Sequence, residues 1–280
     1  MTSFVERLDA ACGKNGSLLC VGLDPEPAMM PVEDIFAFNR EIVDATRDLV
    51  CAYKPNLGFY EALGIPGLQA LERTVEHIRA VAPDVIILGD AKRGDIGNTA
   101  QKYARALFEM WGFDAATVNP YGGHDAVQPF LDYKDRGIFI LCRTSNPGAG
   151  DFQDRLLFSE GGDKRHTLYE TVALEASGWN QYGNVGLVLG ATYPRELSEV
   201  RALCPEVPFL VPAIGAQEGA LEASVRGGVD ANGRRAIISS SRGVLYASRN
   251  ADFAEAARQA AQNLRDAINR ILSAEGHGWS

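Results

Sequence analysis

Histidine and cysteine are sparse in this 280-residue sequence, and neither is spaced for metal or redox chemistry. The four histidines (His77, His124, His166 and His277) form no HExxH and no other close pair, so a metal site has little support. The five cysteines (Cys12, Cys20, Cys51, Cys142 and Cys204) are odd in number, widely separated and without a CxxC, which predicts free thiols in a reducing compartment. Cys20, Cys51 and Cys142 stand inside apolar runs, where a small buried hydrophobe is expected. There is no GxxxxGK[ST] and no GxGxxG after a strand, which removes the usual signatures of ATP and NAD binding. No run approaches the roughly 20 apolar residues of a membrane span. Glu6 and Asp9 interrupt the stretch where a signal peptide needs apolar continuity, so a cytoplasmic location is expected. Positive charge is also in deficit. The 27 Lys and Arg against 36 Asp and Glu leave a net charge of −9, which repels nucleic acid and anionic lipid at long range. An anionic small substrate would need a local cluster of cations.

What is present is an eightfold alternation. Short apolar runs occupy 18–23, 49–54, 85–90, 115–119, 137–142, 185–189, 209–214 and 236–240, as expected for strands covered on both faces. Helical periodicity fills 31–48, 66–81, 98–111, 124–133, 168–178, 194–203, 217–226 and 252–272, spacers long enough for right-handed crossovers. Eight such units predict a single-domain α/β chain closed as a (β/α)8 TIM barrel. Asn98 and Asp252 read as N-caps, and Pro31 and Pro194 as first-turn residues. The last helix should pack through Phe253, Ala257, Ala260, Leu264, Ala267, Ile268 and Ile271. A leading helix at about 3–12 should cover the barrel bottom. The polar stretch 227–235 belongs to that same end, and the tail 276–280 is expected to fray. The glycine-rich loop 143–167 exceeds ordinary connections, which marks it as functional or disordered.

Barrels carry chemistry at the C-terminal ends of their strands, and there this sequence stops being apolar. The runs end in Asp24, in Lys54-Pro55-Asn56, in Asp90-Ala91-Lys92 followed by Asp95, in Asn119-Pro120-Tyr121, in Arg143-Thr144-Ser145-Asn146, near Gln217, and in Ser240-Ser241-Arg242. Asp90 and Lys92, two apart on an extended strand, should share the face toward the mouth, with Ala91 toward the helices. Gly94 permits a turn that could return Asp95 to the same centre, and Lys54 offers a second ammonium. An alternating array of Lys54, Asp90, Lys92 and Asp95 would keep both lysines protonated. That suits a lysine that donates a proton better than one that forms a Schiff base. The same four residues could instead be an ion-pair network that only rigidifies the barrel, and Asp24 before Pro25 could be only a turn former. A phosphate site is expected where the last two loops meet, with Gln217 after one strand and the Arg242 fork and Gly243 backbone after the other.

The stretch from Asp90 to Ile96, preceded by Lys54-Pro55-Asn56 and Val21-Gly22-Leu23-Asp24, resembles the orotidine 5'-phosphate decarboxylase family, in particular its longer type 2 subgroup. The resemblance runs from Asp24 to Arg242. It implies decarboxylation of orotidine 5'-monophosphate to UMP and carbon dioxide, the last step of UMP synthesis, without metal or other cofactor. It further implies a homodimer with active sites at the subunit interface. By the same resemblance Lys92 is the proton donor within the tetrad Lys54, Asp90, Lys92 and Asp95, and Asp95 with Ile96 reaches into the partner's site. Asp24 and Lys54 approach the ribose, Ser145 reads the pyrimidine edge, and Gln217 and Arg242 hold the phosphate. Short members of the family show Gly-Arg before the last helix where this chain has Ser241-Arg242. The insertion 148–165 is also foreign to them. Two alternatives stay open: a magnesium-dependent phosphosugar enzyme on the same barrel, such as a hexulose-phosphate synthase or a 3-keto-gulonate-phosphate decarboxylase, and a non-catalytic nucleotide-binding barrel.

Overall fold

The structure is a computed structural model that describes residues 2–158, 165–212 and 218–279. Its strands are β1 (Leu19–Leu23), β2 (Ala52–Pro55), β3 (Ile86–Arg93), β4 (Ala115–Val118), β5 (Gly137–Arg143), β6 (Leu156–Phe158), β7 (Arg165–Thr167), β8 (Val185–Leu189), β9 (Phe209–Val211) and β10 (Ala236–Ser240). Eight of them pair in parallel and close in the order β1-β10-β9-β8-β5-β4-β3-β2, which is a (β/α)8 TIM barrel. The barrel strands are almost continuously buried because barrel packing covers one face and helices the other.

The covering helices follow the expected alternation, with differences at their ends. Pro31 lies outside the first one, which begins at Ile35 because the Asp34 carboxylate accepts the Ala37 N–H at 2.6 Å. Asn98 is not a cap: helix Gly97–Arg105 already includes it, and Ile96 holds the N-cap position. Asp252 is at the N-cap of Phe253–Ala274 but makes no capping bond, since its carboxylate accepts from the Ser248 hydroxyl at 2.5 Å. Pro194 opens its helix as expected. The last helix is rotated about one residue from the predicted stripe. Ala261 and Leu272 are buried with Phe253, Ala257 and Ile268, whereas Ala260, Leu264 and Ala267 are only partly covered and line a cleft.

The barrel bottom is closed by helix Phe4–Asn15, started by a reciprocal Ser3–Glu6 capping box. The Phe4 ring meets Phe139 edge-on at 5.8 Å and fills the space over Gly137, where an added Cβ would stand 2.5 Å from it. Asp114, at the same end, accepts from Arg7 at 2.8 Å, from Arg79 at 2.5 Å and from the Ile87 N–H at 2.9 Å. As far as Trp279 the tail does not fray. Trp279 donates to the Asn269 side chain at 2.9 Å, lies under the Arg234 guanidinium and sits over the left-handed turn at Gly16, while Arg234 also donates to the Gly278 carbonyl at 2.7 Å.

The insertion after β5 folds back on its root. Gln153 accepts from the Thr144 N–H at 2.9 Å, Arg143 donates to Asp154 at 3.2 Å, and β6 pairs antiparallel with β7 before Thr167 caps helix Leu168–Gly178. All five cysteines are buried and free.

Candidate active site

At the mouth the β3–β4 ladder breaks register. Gly89 pairs with Ala116, yet the next pairing is Arg93 with Val118, so four steps on β3 match two on β4. The slack is a bulge, and Lys92 within it has φ +48°. The expected face-sharing of Asp90 and Lys92 therefore arises differently from simple strand alternation. The backbone turns left-handed, and the lysine folds back toward the aspartate. Thr117, fully buried on β4, accepts the Lys92 N–H at 2.9 Å and donates its own proton to Asp90 Oδ1 at 3.0 Å.

Asp90 thus joins two ammonium groups. Lys92 Nζ donates to Oδ1 at 2.6 Å and Lys54 Nζ to Oδ2 at 3.0 Å. Burial by itself would raise the Asp90 carboxyl, but the two lysines outweigh it and bring it down to about 2. Lys54 is buried, which favours its neutral form. The charges of Asp90 and Asp24 outweigh that as well and hold it above the ordinary lysine range. Lys92 is different in kind, with half of its side chain open to solvent (50 %).

Asp24, Lys54, Asp90, Ser240, Arg242 and Tyr246 line a common cleft of about 880 Å³. Asp24 Oδ1 is buried without a hydrogen-bond partner, which an arriving hydroxyl could supply. Tyr246 holds that loop, donating to the Asp24 carbonyl at 3.0 Å and accepting the Glu26 N–H at 2.7 Å. Arg242 opens the short helix Arg242–Leu245 with its side chain exposed and in no ion pair with a described residue. Among the described residues no three His, Cys, Asp or Glu side chains gather as metal ligands.

The remaining expected residues are placed apart. Ser145 follows β5 and packs against Gly190, where an added Cβ would stand 2.8 Å from its own. Asp95 is not brought to the lysines within the chain: its Oδ1 accepts the neighbouring Ile96 N–H at 2.8 Å, and Ile96 is 62 % exposed. Gln217 lies outside the described residues. Sequence reading passed over Thr117 and Tyr246. The signal for Thr117 was a single hydroxyl in the otherwise apolar β4, and Tyr246 lay within no motif.

A family model described as "Orotidine 5'-phosphate decarboxylase / HUMPS family" matches residues 17–260. An orotidine 5'-phosphate decarboxylase of Roseiflexus castenholzii is 52% identical over 278 residues, covering 97% of this chain and 99% of that one. One from Dehalococcoides mccartyi is 51% identical over 267 residues, covering 95% and 97%. Among solved structures, Leishmania donovani OMP decarboxylase superposes with a TM-score of 0.82 at 40% identity, covering 96% of this chain and 98% of that one.

Proposed function

The chain belongs to the orotidine 5'-phosphate decarboxylase / HUMPS family and decarboxylates orotidine 5'-monophosphate to UMP and carbon dioxide, and we propose that Lys92 is the acid that completes the reaction. The observation that carries this reading is the pair of ammonium groups, Lys54 and Lys92, on Asp90, the carboxylate that lines the cleft.

In this reading Arg242 and Gln217 hold the phosphate, Asp24 and Lys54 take ribose hydroxyls, and Ser145 meets the pyrimidine edge. The unpartnered Asp24 Oδ1 supports its part. The anchored ring directs its carboxylate at Asp90 and its C6 at Lys92. When the C6–carboxylate bond breaks, its electron pair stays on C6. The Lys92 ammonium stabilises that charge and then transfers a proton to C6, giving UMP and a neutral amine that regains its proton from solvent. Asp90 opposes the substrate carboxylate and holds Lys92 in place beforehand. No electron sink beyond the ammonium is called on, so neither metal nor organic cofactor enters.

We further place the chain in the type 2 subgroup on the strength of its folded insertion after β5, and read it as a homodimer in which Asp95 and Ile96 complete the partner's site. The exposed Ile96, Met110 and Tyr121 (62%, 71% and 91%) support such a partner surface. Free buried thiols and net negative charge fit a cytoplasmic enzyme with no nucleic-acid or membrane partner. The deciding test is a spectrophotometric assay of orotidine 5'-monophosphate with and without excess chelator. Equal turnover in both is expected. Turnover abolished by chelator would overturn the cofactor-free mechanism.

A further inference from the structure

We propose that Thr117 is a positioning residue for the reaction, holding Lys92 at both its backbone and its ammonium through a closed ring of hydrogen bonds with Asp90. The proposal rests on the reading of Lys92 as the acid, and deepens it.

Left-handed backbone is costly for a residue with a Cβ, and Lys92 is one of only two such non-glycine residues among those described. A conformation of that kind persists only where its surroundings enforce it. Here the bulge removes the Lys92 N–H from the regular β3–β4 ladder, and Thr117 Oγ1 receives it instead. A hydroxyl has one proton to give, and this one goes to Asp90 Oδ1, the same oxygen that accepts Lys92 Nζ. The ring therefore runs from the Lys92 N–H through the Thr117 hydroxyl to the Asp90 carboxylate and back along the Lys92 side chain. It fixes where the ammonium stands relative to its own Cα. Valine would occupy the same space, yet would leave the Lys92 N–H and one site on Asp90 without partners.

Thr117 is itself buried and does not line the cleft. Its loss should affect the chemical step without affecting the hold on phosphate or ribose. For a misplaced acid the expected fall in kcat is about 10- to 100-fold. Wild type, Thr117→Val, Thr117→Ser, Thr117→Ala and Lys92→Ala would be assayed together at saturating orotidine 5'-monophosphate, with UMP inhibition as the measure of ground-state binding. The expectation is a kcat at least about tenfold lower in Thr117→Val, UMP inhibition within about threefold of wild type, and kcat within about threefold of wild type in Thr117→Ser. If the valine variant does not fold, the alanine variant is read by the same limits. A smaller loss of kcat, a parallel loss of UMP binding, or failure of serine to rescue overturns the proposal. An active Lys92→Ala protein overturns the underlying reading of Lys92 instead, whatever Thr117 does.

Discussion

Lys92 Nζ lies 2.6 Å from Asp90 Oδ1 although only one residue separates the two, and the chain achieves this by placing Lys92 at φ +48°. In a straight strand a two-residue separation would set both side chains pointing outward in parallel. The bulge turns one back onto the other. A flexible ammonium so becomes a charge fixed beside Asp90 and partly open to solvent.

Replacing this lysine should separate chemistry from folding. Lys92→Ala is expected to melt cooperatively near the parent temperature and to lose at least about three orders of magnitude in kcat. A loss under about tenfold would remove Lys92 from the role of acid. Lys92→Gly should be more stable than Lys92→Ala by about 1 kcal/mol, because glycine takes a left-handed backbone without strain. Denaturant melts of the two variants check this.

Asp95 is beyond ion-pair distance of Lys54 and Lys92 within its own chain, so a shared site makes a mixing experiment informative. Asp95→Ala and Lys54→Ala proteins, each inactive, should recover part of the activity when combined under conditions of subunit exchange. No recovery despite demonstrated exchange would place the complete site in one chain.

The carboxyl of Asp90 sits at about 2 against an ordinary 3.8. A depressed value means that its contribution to stability is complete above about pH 4 and is lost as pH falls toward about 2. Asp90→Asn should flatten that acid limb. In the same variant Lys54 keeps its burial but loses its main counter-charge, so its pKa moves down from its raised position. In the parent, the Lys54 contribution is full below 10.5 and is lost only as pH rises beyond it, and the variant has less of that contribution to lose. Thermal melts below and above pH 10.5 should therefore fall less steeply for the variant than for the parent. Parallel behaviour would mean that Lys54 does not depend on Asp90.

Asp114, at the far end of the barrel, anchors Arg7, Arg79 and the Ile87 N–H. Asp114→Ala should cost roughly 3 kcal/mol, a fall in Tm of roughly 5 °C. Its kcat should stay within about twofold of the parent, since stabilising residues gather at the bottom of a barrel and catalytic ones at the top. A kcat lowered tenfold at a temperature where the variant is folded would contradict that division.

Much of this could be read from residue order. Eight apolar runs, seven of them ending in polar residues, marked the barrel and its working end, and Asp24, Lys54, Asp90 and Arg242 do line one cleft. Local pattern was less reliable at helix starts, where Pro31, expected in the first turn, lies outside the first covering helix and Asp34 caps it. It failed for the tail, because Asn269 and Arg234, which hold Trp279, lie on other elements. Thr117 escaped notice for the same reason. Its contacts with Asp90 and Lys92 span 27 and 25 positions, and no spacing rule reaches across strands.

By itself, the sequence determined the architecture and the inventory of charged groups, because burial on two faces demands apolar runs and polar residues are left to the strand ends. Only the tertiary structure decided how those charges meet. The bulge opposite β4, the left-handed Lys92 and the hydroxyl that ties it to Asp90 depend on the register between neighbouring strands, which closure of the barrel imposes and no single segment encodes.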